Sequence, residues 1–178
     1  MADSTITKQA LALALKERME EKAFDKISVS DICESCNMNR KSFYYHFKDK
    51  YDLVNWIFDT EFADASREIY PDFWKLMGNL CDYFCANKEF YLKAMQIKGQ
   101  NSFSEHFKEY LYSSISGYME SSLEEEERRK FYVLFLTDAC VASMERWILP
   151  QNGIAPRKFL ELMQSCITDM GQKVSWNI

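Results

Sequence analysis

The stretch Ser28-Val29-Ser30-Asp31-Ile32-Cys33-Glu34-Ser35-Cys36-Asn37-Met38-Asn39-Arg40-Lys41-Ser42-Phe43-Tyr44-Tyr45-His46-Phe47 decides the fold. Ser28 is a good helix N-cap, and Asp31, three residues on, can reach back to the cap's own N–H. Val29, Ile32, Cys33 and Cys36 then share one face of a short helix. Asn37 tolerates the left-handed backbone region better than most side chains, so Cys36-Asn37-Met38 reads as a tight turn. Asn39 caps a second short helix. In it Phe43 and Phe47 lie four apart and point inward, leaving Arg40, Lys41, Tyr44 and Tyr45 outward or flanking.

Working outward, Leu11, Leu15 and Met19 recur every four residues and predict a preceding helix over about 7–22, broken near Ala23-Phe24-Asp25-Lys26. A helix opening near Asp49 is predicted to reach Glu68. Beyond Pro71, amphipathic helices are expected at roughly 72–86, 88–98, 103–121, 124–148 and 156–173. Ser122 with Glu125 has the pattern of a capping box. Asn152-Gly153, between Pro150 and Pro156, is the clearest loop. The 178 residues include only five Gly and three Pro. These turn formers usually make up roughly 12% of a chain, and sheet folds need them often, so a sandwich or barrel is disfavoured. The expected class is all-α: a three-helix helix-turn-helix part over residues 1–50 and a helical regulatory and dimerising bundle over 51–178.

Charge is unevenly shared. The chain carries a net −5, yet residues 37–50 hold Arg40, Lys41, Lys48 and Lys50 against Asp49 alone, a local +3 that leaves −8 on the rest. A positive patch on an acidic body fits a localised nucleic-acid footprint. In a helix-turn-helix the second helix enters the major groove. Arg40 and Lys41 suit guanine acceptors or phosphates, while Tyr44, Tyr45 and His46 can donate to phosphate oxygens. Lys50 offers an ammonium near free helix N–H groups. Ser42 and Lys48 complete the candidate set. The plain alternative is a small core hairpin with solvated charges.

From Ile27 to Ile32, and again from Asn37 through Phe43-Tyr44-Tyr45-His46-Phe47 to Lys50 and Leu53, the sequence resembles the DNA-binding part of the TetR/AcrR family of bacterial transcriptional regulators, over about residues 7–58. The resemblance implies a homodimer on a near-palindromic double-stranded operator, with a small-molecule effector bound in the C-terminal part. It also implies phosphate contacts at Tyr44, Lys50 and Ser28, and a base-reading face from Asn39, Arg40, Lys41 and Tyr45. Where the family usually has Gly in the turn, this chain has Asn37. The segment from Asn39 to Asp49 further resembles a subgroup that includes regulators of dihydroxyacetone kinase operons. A helical ligand-binding or adaptor protein of the same fold, without strong operator binding, is the alternative.

Residues 128–148 carry two apolar stripes: Phe131, Leu134 and Phe135, and Val133, Leu136, Cys140, Met144 and Trp147. A helix apolar on two sides must be covered on two sides. The expected dimer surface is Leu136, Cys140, Met144 and Trp147 with the stripe Phe159, Met163, Ile167 and Met170. The middle helices are rich in aromatics, and Phe62, Trp74, Phe84, Tyr91, Phe103, Phe107 and Tyr110 are candidates to line an effector pocket, although such stripes are more often plain core. Cys33-x-x-Cys36 and Cys81-x-x-x-Cys85 could suggest zinc, but helical spacing and only two His favour small buried apolar residues, with no metal and no cofactor. No phosphate loop or nucleophile elbow is found, so no enzyme is expected. Six unpaired Cys, no secretory leader and no spanning segment point to the cytoplasm.

Overall fold

The computed structural model describes residues 2–63, 72–99, 101–119, 125–149 and 153–173, with backbone only for 2, 3 and 170–173. Within these residues the chain forms nine α-helices and no strand: α1 (Ala2–Glu21), α2 (Val29–Ser35), α3 (Arg40–His46), α4 (Lys50–Phe58), α5 (Phe73–Ala86), α6 (Lys88–Ala94), α7 (Phe103–Met119), α8 (Glu126–Ile148) and α9 (Pro156–Lys173). The first helix starts earlier than its apolar repeat, and α6 ends sooner than expected. The helix opening at Asp49 leaves α geometry after Phe58 for a single π turn, Asp59–Ala63. Its predicted extension to Glu68 lies outside the described residues, as do Tyr70, Glu124, the Ser122 cap, Pro150 and Asn152.

The helix pair follows its local chemistry. Ser28 Oγ accepts from Asp31 N–H at 3.1 Å, and Asp31 Oδ2 accepts from Ser28 N–H at 2.7 Å, closing the capping box. The Ser28 N–H, and after it the Ser28 hydroxyl donating to Asp31 Oδ2 at 2.8 Å, hold the Asp31 carboxyl below its ordinary 3.8. After α2, Asn37 has φ 54°. Met38 N–H donates to Cys33 O at 2.8 Å and Asn37 N–H to Glu34 O at 3.3 Å, the bond pair of a Schellman motif. Asn39 Oδ1 then accepts from Ser42 N–H at 2.9 Å, capping α3. Asp49 Oδ1 caps α4 through Tyr51 and Asp52 N–H at 2.8 and 2.9 Å.

Phe43 and Phe47 pack inward with Leu11, Leu15, Met19, Ile32 and Leu53. Arg18 of α1 donates to Ser35 Oγ at 2.7 Å and ties α1 to α2. The same core continues without a break into the body, where α7 lies along α8 and α5 along α9. Gly78 admits the close approach of α9, since a Cβ there would stand 3.3 Å from Leu160. Trp147 stacks on Phe159 at 4.7 Å and donates to Ile154 O at 2.8 Å, fixing the turn from α8 to α9.

Asn37→Val places a β-branched residue in the left-handed region and is expected to lower stability by about 1–2 kcal/mol, whereas Asn37→Gly is expected to be near neutral, both read by chemical denaturation. Because Asp31 is depressed in the fold, the stability from its cap is complete above pH 3.8 and lost as pH falls through the lower folded value. Asp31→Asn is expected to flatten the acid limb of a stability-against-pH curve there.

Candidate nucleic-acid interface

Helix α3 is held from below and bare above. Phe43 is fully buried and Phe47 nearly so, while Tyr44 and Tyr45 are 50% and 83% exposed. Arg40 and Lys41 are exposed on the same side of the helix. The Arg40 guanidinium lies 5.8 Å from the Tyr44 ring centroid and donates to its hydroxyl at 3.4 Å, so this pair is pre-arranged at the surface. Tyr45 touches His46 edge-on at 4.9 Å, and His46 is half-buried. Lys48 is exposed in the turn to α4. One seven-residue helix thus presents a guanidinium, an ammonium and two phenols outward.

Four other candidates are more engaged than their sequence suggests. Ser28 Oγ both donates to and accepts from Asp31. Asn39 and Ser42 meet each other in the α3 cap at 2.9 and 3.3 Å. The Lys50 ammonium donates to Phe24 O at 2.6 Å and Ile27 O at 2.7 Å, and sits 4.3 Å from the Phe24 ring centroid. Burial holds that ammonium below its ordinary value, against the pull of Asp25 and Asp31. In this structure Lys50 tethers the segment before α2 to the start of α4. Sequence reasoning missed that tether because its partners are backbone carbonyls more than twenty residues away. It also missed Lys8, whose ammonium stands 5.7 and 5.6 Å from the Phe47 and Trp56 rings.

Six of the seven aromatic candidates form one packed set around Phe58, a residue outside the expected pocket, and Trp74 is not among them. Phe58 meets Phe62, Phe84, Phe103, Phe107 and Tyr110 between 5.2 and 6.2 Å. Tyr91 and Phe84 lie 4.6 Å apart, and both are fully buried. Trp74 packs on Phe73 at 5.2 Å. Cys33 and Cys36 turn inward and burial pushes both thiols up. Burial also raises Cys81 to about 12 and Cys140 to about 11, whereas Cys85, expected to be buried beside Cys81, is exposed.

The expected dimer stripe is divided between the core and the surface. Cys140, Met144, Trp147 and Phe159 belong to the chain's own core. Leu136 and Met163 are half-buried, Ile167 is 38% exposed, and the Met170 side chain is outside the described residues. Along α8, Val133, Cys140, Met144, Trp147 and Ile148 are buried, while Leu136 of the same stripe is half-buried. The shorter stripe faces out: Phe131, Leu134 and Phe135 are 64%, 46% and 54% exposed. Beside it a groove of about 650 Å³ runs between α8 and α9, lined by Ala139, Ala142, Leu162, Met163, Cys166 and Ile167 among others. Among the described residues no helix is long and apolar enough to cross a membrane.

A capped helix pair with a bare cationic and phenolic second helix, carried on an all-helical body, defines a helix-turn-helix regulator. Residues 7–57 match the family of bacterial regulatory proteins, tetR family, and residues 73–169 match a transcriptional regulator C-terminal region; the chain belongs to the TetR family. It is 33% identical over 100 residues to the HTH-type dhaKLM operon transcriptional activator DhaS of Lactococcus lactis subsp. lactis (strain IL1403), a match covering 54% of this chain and 53% of that one. The chain therefore matches about half the length of that relative. In fold it is similar to the dihydroxyacetone kinase operon activator DhaS (TM-score 0.70, 21% identity, covering 94% of this chain and 97% of that one). It is also similar to a TetR transcriptional regulator from Streptococcus agalactiae 2603V (TM-score 0.71, 17% identity, 93% and 96%). A third likeness is to NalD, the secondary repressor of the MexAB-OprM multidrug efflux pump in Pseudomonas aeruginosa (TM-score 0.63, 16% identity, 95% and 97%).

Lys50→Met removes a charged donor from two carbonyls and is expected to lower stability by about 1–3 kcal/mol in denaturant titrations. Tyr45→Ala, at an exposed site, is expected to leave stability within about 0.5 kcal/mol.

Proposed function

We propose that the chain binds a near-palindromic operator as a homodimer and that a small molecule held in the C-terminal part adjusts its affinity. In this reading residues 1–50 meet the duplex, residues 51–178 sense and pair, and the protein works in the cytoplasm. The observation that carries the proposal is the outward face of α3, where Arg40, Lys41, Tyr44 and Tyr45 are all exposed above a fixed Phe43. Arg40 and Lys41 are the base readers, joined by Asn39 and Tyr45. Tyr44, Lys48, Ser28, Ser42 and His46 position the backbone. Lys50 reaches a phosphate only through the donor capacity left by its two carbonyl partners.

Pairing is supported by the exposed apolar stripe of α8 and the groove beside α9. Contiguous apolar surface of this kind marks an interface, and a two-fold axis would let the same patch cover itself. The aromatic set around Phe58 supports an effector site in which Phe62, Phe84, Tyr91, Phe103, Phe107 and Tyr110 supply apolar walls and the tyrosine hydroxyls orient the ligand.

Selection of bound duplexes from a random pool is expected to return an inverted repeat. Recovery of no sequence would leave the ligand-binding or adaptor reading of the same fold. Arg40→Ala is expected to relax preference at one base pair by about 1–3 kcal/mol. Lys48→Ala is expected to reduce the salt slope of binding by about one unit. Phe135→Glu is expected to give a folded monomer by sedimentation; an undisturbed dimer would place the interface elsewhere.

A further inference from the structure

The loop between α1 and α2 and the turn after α6 face each other across a cleft of about 460 Å³, an ordinary size for a small-ligand site. One wall is made by Phe24 and by Tyr51 of α4, whose rings meet edge to face at 5.0 Å, and Ile97 lines the cleft from the body. Phe24 and Ile97 belong to the core and Tyr51 packs against it, so this apolar wall is fixed in place. Asn55, one turn after Tyr51 on α4, donates from Nδ2 to Asn101 O at 3.3 Å and holds the segment after α6 against α4. The cleft thus stands open between surfaces that are already positioned.

Its polar side is cationic. Lys93 donates to Met19 O and, at 3.0 Å, to Glu20 O; an ammonium carries three protons, so one N–H is left for a third acceptor. Lys98 also lines the cleft and is exposed. Among the described residues Asp25 is the one carboxylate in the lining, and Lys26 Nζ stands 3.7 Å from its Oδ2. That negative charge is therefore answered by a lysine outside the lining. Lys50 Nζ, 4.3 Å from the Phe24 ring centroid, adds to the positive field around the wall.

We propose that this cleft binds a small aryl carboxylate, with the ring laid against Phe24, Tyr51 and Ile97 and the carboxylate held by Lys93 and Lys98. An inorganic anion would leave the apolar wall uncovered. An uncharged arene would leave two ammoniums without a counter-charge. Only a molecule with both parts matches both sides of the cleft. None of the lining residues belongs to the aromatic set around Phe58, so the site is separate from the effector site placed there. It needs neither operator binding nor an occupant in the aromatic core.

The test is a calorimetric titration of the full chain, free of DNA and at low salt, with circular dichroism to confirm that each variant folds. Naphthoate is the probe, and inorganic phosphate and naphthylmethanol are the comparisons. Naphthoate is expected to saturate at one molecule per chain and to bind about tenfold tighter than either comparison. Lys98→Met, at an exposed position, is expected to weaken it about tenfold. Asp25→Asn removes a like charge and is expected to strengthen it about threefold, a gain that a loss of folding would not produce. Phosphate bound as tightly as naphthoate makes the cleft a bare anion site and overturns the proposal, as does the alcohol bound as tightly. Naphthoate affinity that Lys98→Met leaves unchanged puts the probe elsewhere and overturns it too, as does a titration that does not saturate. No arm uses a duplex, so failure here leaves the operator reading standing, and failure of that reading leaves the cleft standing.

Discussion

Phe43 and Phe47 sit one turn apart on α3 and are both inside the core. A helix of seven residues has only one way to bury that pair, so their burial fixes the rotation of α3 about its axis. With the rotation fixed, Arg40, Lys41, Tyr44 and Tyr45 have no choice but to face out. Every functional statement about this helix depends on that constraint. The aromatic pair also meets the next helix through Trp56, whose ring lies 5.6 Å from Phe47, so the recognition helix and the connector α4 share one anchor.

The local parts of this arrangement were legible in the sequence because each is decided within a few residues. Ser28 and Asp31 cap each other, Asn39 caps α3, and Asn37 takes the positive φ that the turn needs. Asn there does the work for which glycine is the usual choice. Capping chemistry and a periodicity of four need no knowledge of the distant chain. The tether from Lys50 to the Phe24 and Ile27 carbonyls was not legible. Carbonyls carry no residue type, and a lysine after a basic segment reads as one more surface cation. The same holds for Lys93, which donates to the Met19 and Glu20 carbonyls at the end of α1, and for Glu61, whose partners Lys16 and Tyr83 come from two different helices.

The two stripes of α8 show a different limit. Both are apolar, so composition states that each needs cover without stating by what. Most of the longer stripe, Val133, Cys140, Met144 and Trp147, is buried within the chain, while Leu136 is half-buried. Phe131, Leu134 and Phe135 occupy only the first turns and are left open. Length of stripe, rather than hydrophobicity, sorted the two faces. The aromatic run was likewise legible as a cluster but not as to its centre: Phe58 ends the connector helix, and nothing in its local pattern marks it as the point where so many rings converge.

The separation of charge along the chain acquires a meaning once α3 is seen to face outward. The cationic segment is at one end of the fold, and the acidic surplus of −8 is spread over the other residues. Such a molecule carries a permanent electric moment, and a polyanion exerts a torque on it at distances beyond contact. Sideways encounters are repelled and end-on encounters are drawn in. An acidic body, which taken alone would argue against a nucleic-acid partner, thus acts as a rudder that turns the small basic tip towards the duplex and keeps the rest of the surface from sticking to it.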